Sequence, residues 1–195
     1  NFINRVMVLS HKYYEGIVPT KTIEFVELTE IKYFAKRIGA HLEKYEFRAA
    51  LTEYMNLARL GNQFLQAQEP WKKGDDPETV KGIMYTATQI AAALGQLGEP
   101  FIPFASEKIL AMMNVEKMTW DDLESTDEFA KAGHQLGESE LIFAKIEDEA
   151  IEAQINKLNE SKVKNNMTNP NAEPQKELIS FDDFQKMDIR IGTIL

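Results

Sequence analysis

The sequence predicts an all-α fold: a helical bundle, then a polar linker, then an incomplete β segment. Three observations carry this. Apolar residues recur at three- and four-residue spacing through most of residues 1–160, the period of an amphipathic helix. Glycine, proline or a capping residue bounds most of these runs. Strand-like alternation is confined to "DIRIGTIL" at 188–195, and a lone strand makes no stable sheet.

The elements follow in order. Over residues 1–15, Phe2, Val6, Leu9 and Tyr13 form an apolar stripe, and Asn1, Arg5, Val8 and Lys12 a second, mostly polar one. Gly16 is the expected C-cap, and Pro19 keeps the helix from resuming. A second helix is read over 22–41 from Ile23, Phe25, Val26, Ile31, Phe34 and Ile38. The longest, 43–68, holds the helical period from Phe47 to Leu65. Pro70 stops it, because the residue before a proline avoids the helical region.

Asp76 and Pro77 open the next helix as N-cap and first helical residue. Val80, Ile83, Met84, Ala87, Ala91, Leu94 and Leu97 carry it to Gly98. A short helix over 105–113 follows a proline-marked turn. Residues 115–145 read as irregular and acidic, with Trp120 and Phe143 as core anchors, and a final helix spans 147–160. Residues 161–177, "SKVKNNMTNPNAEPQKE", hold almost no large apolar side chain and read as a linker. Residues 178–195 read as the opening of a second domain.

Function classes narrow by exclusion. The chain has no cysteine and only three histidines, His11, His41 and His134, widely spaced, which disfavours disulfide frameworks and histidine metal clusters. It has no phosphate-cradling glycine loop, no G-x-S-x-G and no H-E-x-x-H. The acidic pairs Asp75-Asp76, Asp121-Asp122 and Asp182-Asp183 read as caps and solvated surface rather than catalytic dyads. His11 could donate to a phosphate, but a lone helical histidine reads first as a surface or packing residue. With no signal peptide and no apolar run long enough to span a bilayer, the chain reads as a soluble, cytoplasmic piece of a longer protein.

The net charge of −9 is unevenly spread. Residues 1–73 carry eleven basic against eight acidic groups, residues 74–160 six against eighteen, and residues 161–195 five of each. The positive surface therefore lies in the first third. That third ends in "LQAQEPWKKGDD" (65–76), where Trp71 follows Pro70 and precedes Lys72 and Lys73. An exposed tryptophan beside positive charge can stack an unpaired base. Composition alone favours core packing for it. Arg5 and Lys12, on one helical face, could reach base edges or phosphates.

Longer motifs carry a resemblance. "NFINRVMVLSHKYYEGIVP" (1–19) resembles the first helix of the anticodon-binding domain of methionyl-tRNA synthetases, in its N-F-x-N-R…K-Y-F-x-G-x-V-P pattern. "EFRAALTEYMNLARLGNQFLQAQEPWK" (46–72) is similar to that domain's long helix and the P-W after it. "LGQLGEPFIPFASEKI" and "LIFAKIEDE" match the segments that follow. "ISFDDFQKMDIRIGTIL" resembles the first segment of the oligonucleotide-binding barrel appended to many of these enzymes.

The resemblance implies a helical bundle that reads a C-A-U anticodon. Its domains would be a bundle over 1–160, a linker over 161–177 and a truncated barrel over 178–195. Trp71 would stack on an anticodon base, with Pro70 shaping the turn. The family's first helix uses an Asn and an Arg four residues apart, aligned on Val8 and Lys12, where valine and lysine depart from the pattern; Arg5 would share the role. Asn62 is a further contact. No cofactor is implied here, since ATP and methionine would bind a catalytic domain that the chain lacks, so the chain is expected to catalyse nothing alone. Expected partners are methionine tRNA through its anticodon loop, the catalytic domain of the same protein, and a second copy through further C-terminal residues, with no membrane and no DNA. The alternative is a helical protein-interaction or dimerisation scaffold that binds no RNA.

Overall fold

The computed structural model describes residues 1–167 and 180–186. They belong to two compact units, Asn1–Ala144 and Lys145–Leu195. The first unit holds α1 (Phe2–Tyr14), α2 (Val26–Glu43), α3 (Phe47–Gln68), a 3-10 turn (Pro70–Lys72), α4 (Pro77–Leu97), α5 (Pro103–Met113) and α6 (Trp120–Ser125).

The bundle is built around α4. "GIMYTATQIAAALGQL" contains no charged residue, and every position from Gly82 to Leu97 is buried. A helix apolar on all sides belongs at the centre of a core. α1, α2, α3 and α5 pack against it. Its buried threonines and glutamines all find hydrogen-bond partners, the threonines within the helix and the glutamines across to the segment after α5. Thr86 and Thr88 donate back to the carbonyls of Gly82 and Met84 at 3.0 and 2.8 Å. The Gln89 amide donates to Ala130 O at 2.6 Å, and its oxygen accepts from Phe129 N at 2.7 Å. Gln96 likewise holds Glu116 O and Met118 N, at 2.7 and 3.0 Å. Two buried glutamines thus pin the irregular acidic segment to the central helix.

Helix ends follow the predicted punctuation. Asp76 caps α4, accepting from Thr79 N at 3.1 Å and from its hydroxyl at 2.6 Å, and these bonds hold its carboxyl below the usual range. α1 closes through Glu15 (φ 55) and Gly16 (φ 76), both left-handed. The separate helices read over 22–41 and 43–68 begin later, at Val26 and Phe47. A tight turn through Tyr45 (φ 59) parts them. α5 begins at Pro103, whose fixed φ suits a first helical position.

Two expectations for 115–145 change. α6 forms within it, opened by a capping box between Thr119 and Asp122. Trp120 is half-buried and packs on the core, but Phe143 is 69% exposed and is no anchor. At a bend in the chain Ile142 packs against the core, while Leu141 and Phe143 on either side of it are exposed.

In the second unit α7 runs from Asp148 to Met167, seven residues past the expected end at 160. No glycine or proline interrupts it before Pro170, and the Ser161 hydroxyl bonds back to Lys157 O at 2.9 Å. A short helix, α8 (Phe181–Gln185), is capped by Ser180, which accepts from Asp183 N at 3.2 Å. The expected strand at 188–195 and the linker beyond 167 lie outside the described residues.

Candidate nucleic-acid interface

The site begins with the way α1 sits. Phe2, Val6 and Met7 are buried, which turns Arg5, Val8 and Lys12 toward the outer face. α3 ends at Gln68, and Glu69 takes a left-handed conformation (φ 43). Pro70, buried, is the first residue of the 3-10 turn that follows. That turn carries Trp71 out of the core, so its indole is 39% exposed. The Arg5 guanidinium carbon lies 5.0 Å from the Trp71 ring centroid, within cation–π range. Arg5 has no carboxylate partner among the described residues.

Arg5 and Asn62 line one shallow groove, with Gln63, Gln66 and Ala67. The Asn62 amide nitrogen donates to Ala58 O at 3.0 Å, and its oxygen has no partner among the described residues. Four predicted residues therefore share one end of the bundle: Pro70 at the start of the turn, Trp71 next on it, Arg5 against Trp71, and Asn62 in the groove. Val8 is 52% exposed on the same helix but offers no hydrogen bond. Lys12 lies about 10 Å farther along α1 than Arg5, its ammonium 5.6 Å from the ring of Tyr13. Lys72 pairs with Glu69 at 2.9 Å, and Lys73 reaches Gln68 at 3.4 Å.

Gln63 and Gln66 were not foreseen. Their signal was exposure on the helix face that Asn62 occupies, one turn apart. Asn1 was read only as part of a polar stripe. It stands four residues before Arg5 and lines, with Asn62, a mostly apolar cavity of the same unit. The histidines serve the fold. His11 Nε2 bonds Gly137 O at 2.9 Å, His134 Nε2 bonds Met113 O at 3.2 Å, and His41 Nδ1 meets Glu46 Oε2 at 2.6 Å. Among the described residues no group of acidic and histidine side chains gathers as a metal site, and no helix is long and apolar enough to cross a membrane.

By the fold of its described residues the chain is an all-α bundle, with an exposed tryptophan on the turn that follows its third helix. Residues 21–162 match the family model of the anticodon binding domain of methionyl tRNA ligase. The chain belongs to that family. It is 51% identical to the methionine–tRNA ligase of Flavobacterium psychrophilum over 201 residues, covering all of this chain and 29% of the relative. With the enzyme of Flavobacterium johnsoniae it is 46% identical over 228 residues, again covering all of the chain and 32% of the relative. The chain thus spans about a third of the length of these relatives. In fold it resembles the apo Mycobacterium tuberculosis methionyl-tRNA synthetase, with a TM-score of 0.66 at 17% identity over 75% of this chain and 31% of that one. The family match starts at Lys21, so α1 with Arg5 precedes it, while the Flavobacterium alignments include α1.

Proposed function

We propose that this chain reads the C-A-U anticodon of methionine tRNA, as the RNA-recognition part of a longer, ATP-dependent methionine–tRNA ligase. The observation that carries the proposal is the Arg5–Trp71 pair, 5.0 Å apart at the end of the groove that Arg5 shares with Asn62. Arg5 covers one face of the indole. A base, on this proposal the wobble cytosine, stacks on the accessible surface of Trp71 and contributes about 1–3 kcal/mol. Pro70, buried, holds the turn. Arg5 and the amides of Asn62, Gln63 and Gln66 offer donors and acceptors to base edges, which is where sequence is read in a splayed loop.

We assign the base-edge role on α1 to Asn1 and Arg5 rather than to Val8 and Lys12. Asn1 and Arg5 are an Asn and an Arg four residues apart, and Arg5 lies against Trp71. Lys12 remains for the phosphate backbone. The cytoplasm is the place of action. ATP and methionine would be held by the catalytic domain of the longer protein, the chain's covalent partner, and any pairing of two copies would fall to residues beyond the bundle. The experiment is binding of the chain to a hairpin carrying the C-A-U loop, against the same hairpin with its wobble base changed. Tighter binding to C-A-U supports the proposal, and equal binding to both overturns it in favour of a protein-binding scaffold.

A further inference from the structure

We infer that Gly61 is a positioning residue for this groove: its missing side chain sets how near α1 comes to α3, and so where Arg5 stands against Trp71. The inference rests on the anticodon-reading function proposed above. Gly61 is buried within α3. A Cβ at this position would lie 2.7 and 2.8 Å from Cε1 and Cζ of Phe2, and 3.0 Å from Cγ2 of Ile90. Phe2 is 4% exposed and Ile90 fully buried, so a methyl group meets α1 on one side and the central helix on the other.

Of the two neighbours, α4 has the less room to yield, because it is enclosed on all sides. α1 packs at the surface of the bundle and gives first. The contact is also close to the site in sequence: Phe2 precedes Arg5 by less than one helical turn, and Gly61 precedes Asn62 directly. A small outward shift at Phe2 is therefore carried to Arg5, and stacking and base-edge contacts tolerate only about 0.5 Å of misplacement. Alanine is the better helix former, so a loss on Gly61→Ala is not a propensity effect.

The test titrates the full chain with the C-A-U hairpin and its wobble variant, using Gly61→Ala, Phe2→Leu, the Phe2→Leu/Gly61→Ala double variant and Trp71→Ala. Leucine lacks Cε1 and Cζ, so the double variant restores the room that the methyl needs. Gly61→Ala is expected to bind about tenfold more weakly and to lose wobble preference while still melting cooperatively, and the double variant to return to within about threefold of wild type. Where Gly61→Ala does not fold, the double variant decides by the same threshold. Wild-type binding by Gly61→Ala, or a folded double variant that stays weak, overturns the inference while Trp71→Ala still shows the site. No loss from Trp71→Ala removes the site and the inference together.

Discussion

The Arg5 guanidinium lies 5.0 Å from the centre of the Trp71 ring. The pair joins the outer face of the first helix to the turn that ends the third. An exposed cation–π contact is worth about 0.5–1 kcal/mol, too little to hold the bundle together. Its consequence is geometric: one face of the indole is already covered, so on the proposed function less ordering remains to oppose the stacking of a base.

Replacing Arg5 tests that geometry. Arg5→Ala is expected to weaken hairpin binding by about 2 kcal/mol, the range of a charged hydrogen bond plus the lost contact to Trp71. Arg5→Lys should recover only part, because an ammonium keeps the charge without the planar fork. Calorimetric titration measures both, and full recovery by lysine would mean that charge alone is used.

Much of this was legible in sequence. The Pro70 stop, the Asp76–Pro77 start and the apolar stripe of α1 gave the helices that frame the site, because proline and capping residues act locally. Arg5's contact with Trp71 joins residues distant in sequence; periodicity puts Arg5 on a polar face but says nothing of Trp71, which lies past a helix end and which composition alone assigns to the core. The assignment to Val8 and Lys12 rests on the four-residue spacing of an Asn and an Arg, whose residue types both positions lack, whereas Asn1 and Arg5 have the spacing and the residue types. Phe143 misled because outside regular structure no period says which of neighbouring apolar residues packs inward; here Ile142 does and Phe143 does not. α6 was missed although Thr119 and Asp122 had the capping-box spacing.

Salt dependence should be shallow. Arg5 lines the groove, Lys72 and Lys73 follow Trp71 and Lys12 stands farther along α1, and Lys72 already pairs with Glu69. At roughly −0.7 per phosphate, the log–log slope is expected between about −1.5 and −3. A slope steeper than about −4 would require a basic track elsewhere on the chain.

Stability at high pH should depend on Tyr54. It is 5% exposed, its hydroxyl donates to Leu94 O at 3.2 Å, and burial pushes its phenol up from 10.0 to about 12. A folded pKa above the unfolded one stabilises fully below pH 10 and is lost as the pH rises through about 12. The wild type should therefore lose about 2–3 kcal/mol from this group across that window, and Tyr54→Phe should lack that part of the decline. Urea melts at pH 8 and 11.5 compare the two, and parallel pH dependence would contradict the assignment.

Two further outcomes concern the limits of the chain. Deleting residues 161–195 should change the melting of the bundle by no more than about 0.5 kcal/mol, because among the described residues the buried core falls between Phe2 and Leu136. A larger drop in a thermal melt would mean that this part is integral to the bundle. The chain alone should also show no methionine-dependent ATP–pyrophosphate exchange, and exchange by a purified sample would contradict the domain reading.

The most direct measurement is the affinity of Trp71→Ala for the C-A-U hairpin and for its wobble variant. Trp71 is 39% exposed, so cooperative melting should survive the substitution. Binding to the C-A-U hairpin is predicted to fall by about 1–3 kcal/mol, with the preference for the cytosine reduced. Unchanged affinity and preference, or a collapse of the melting transition, would contradict a base-stacking tryptophan.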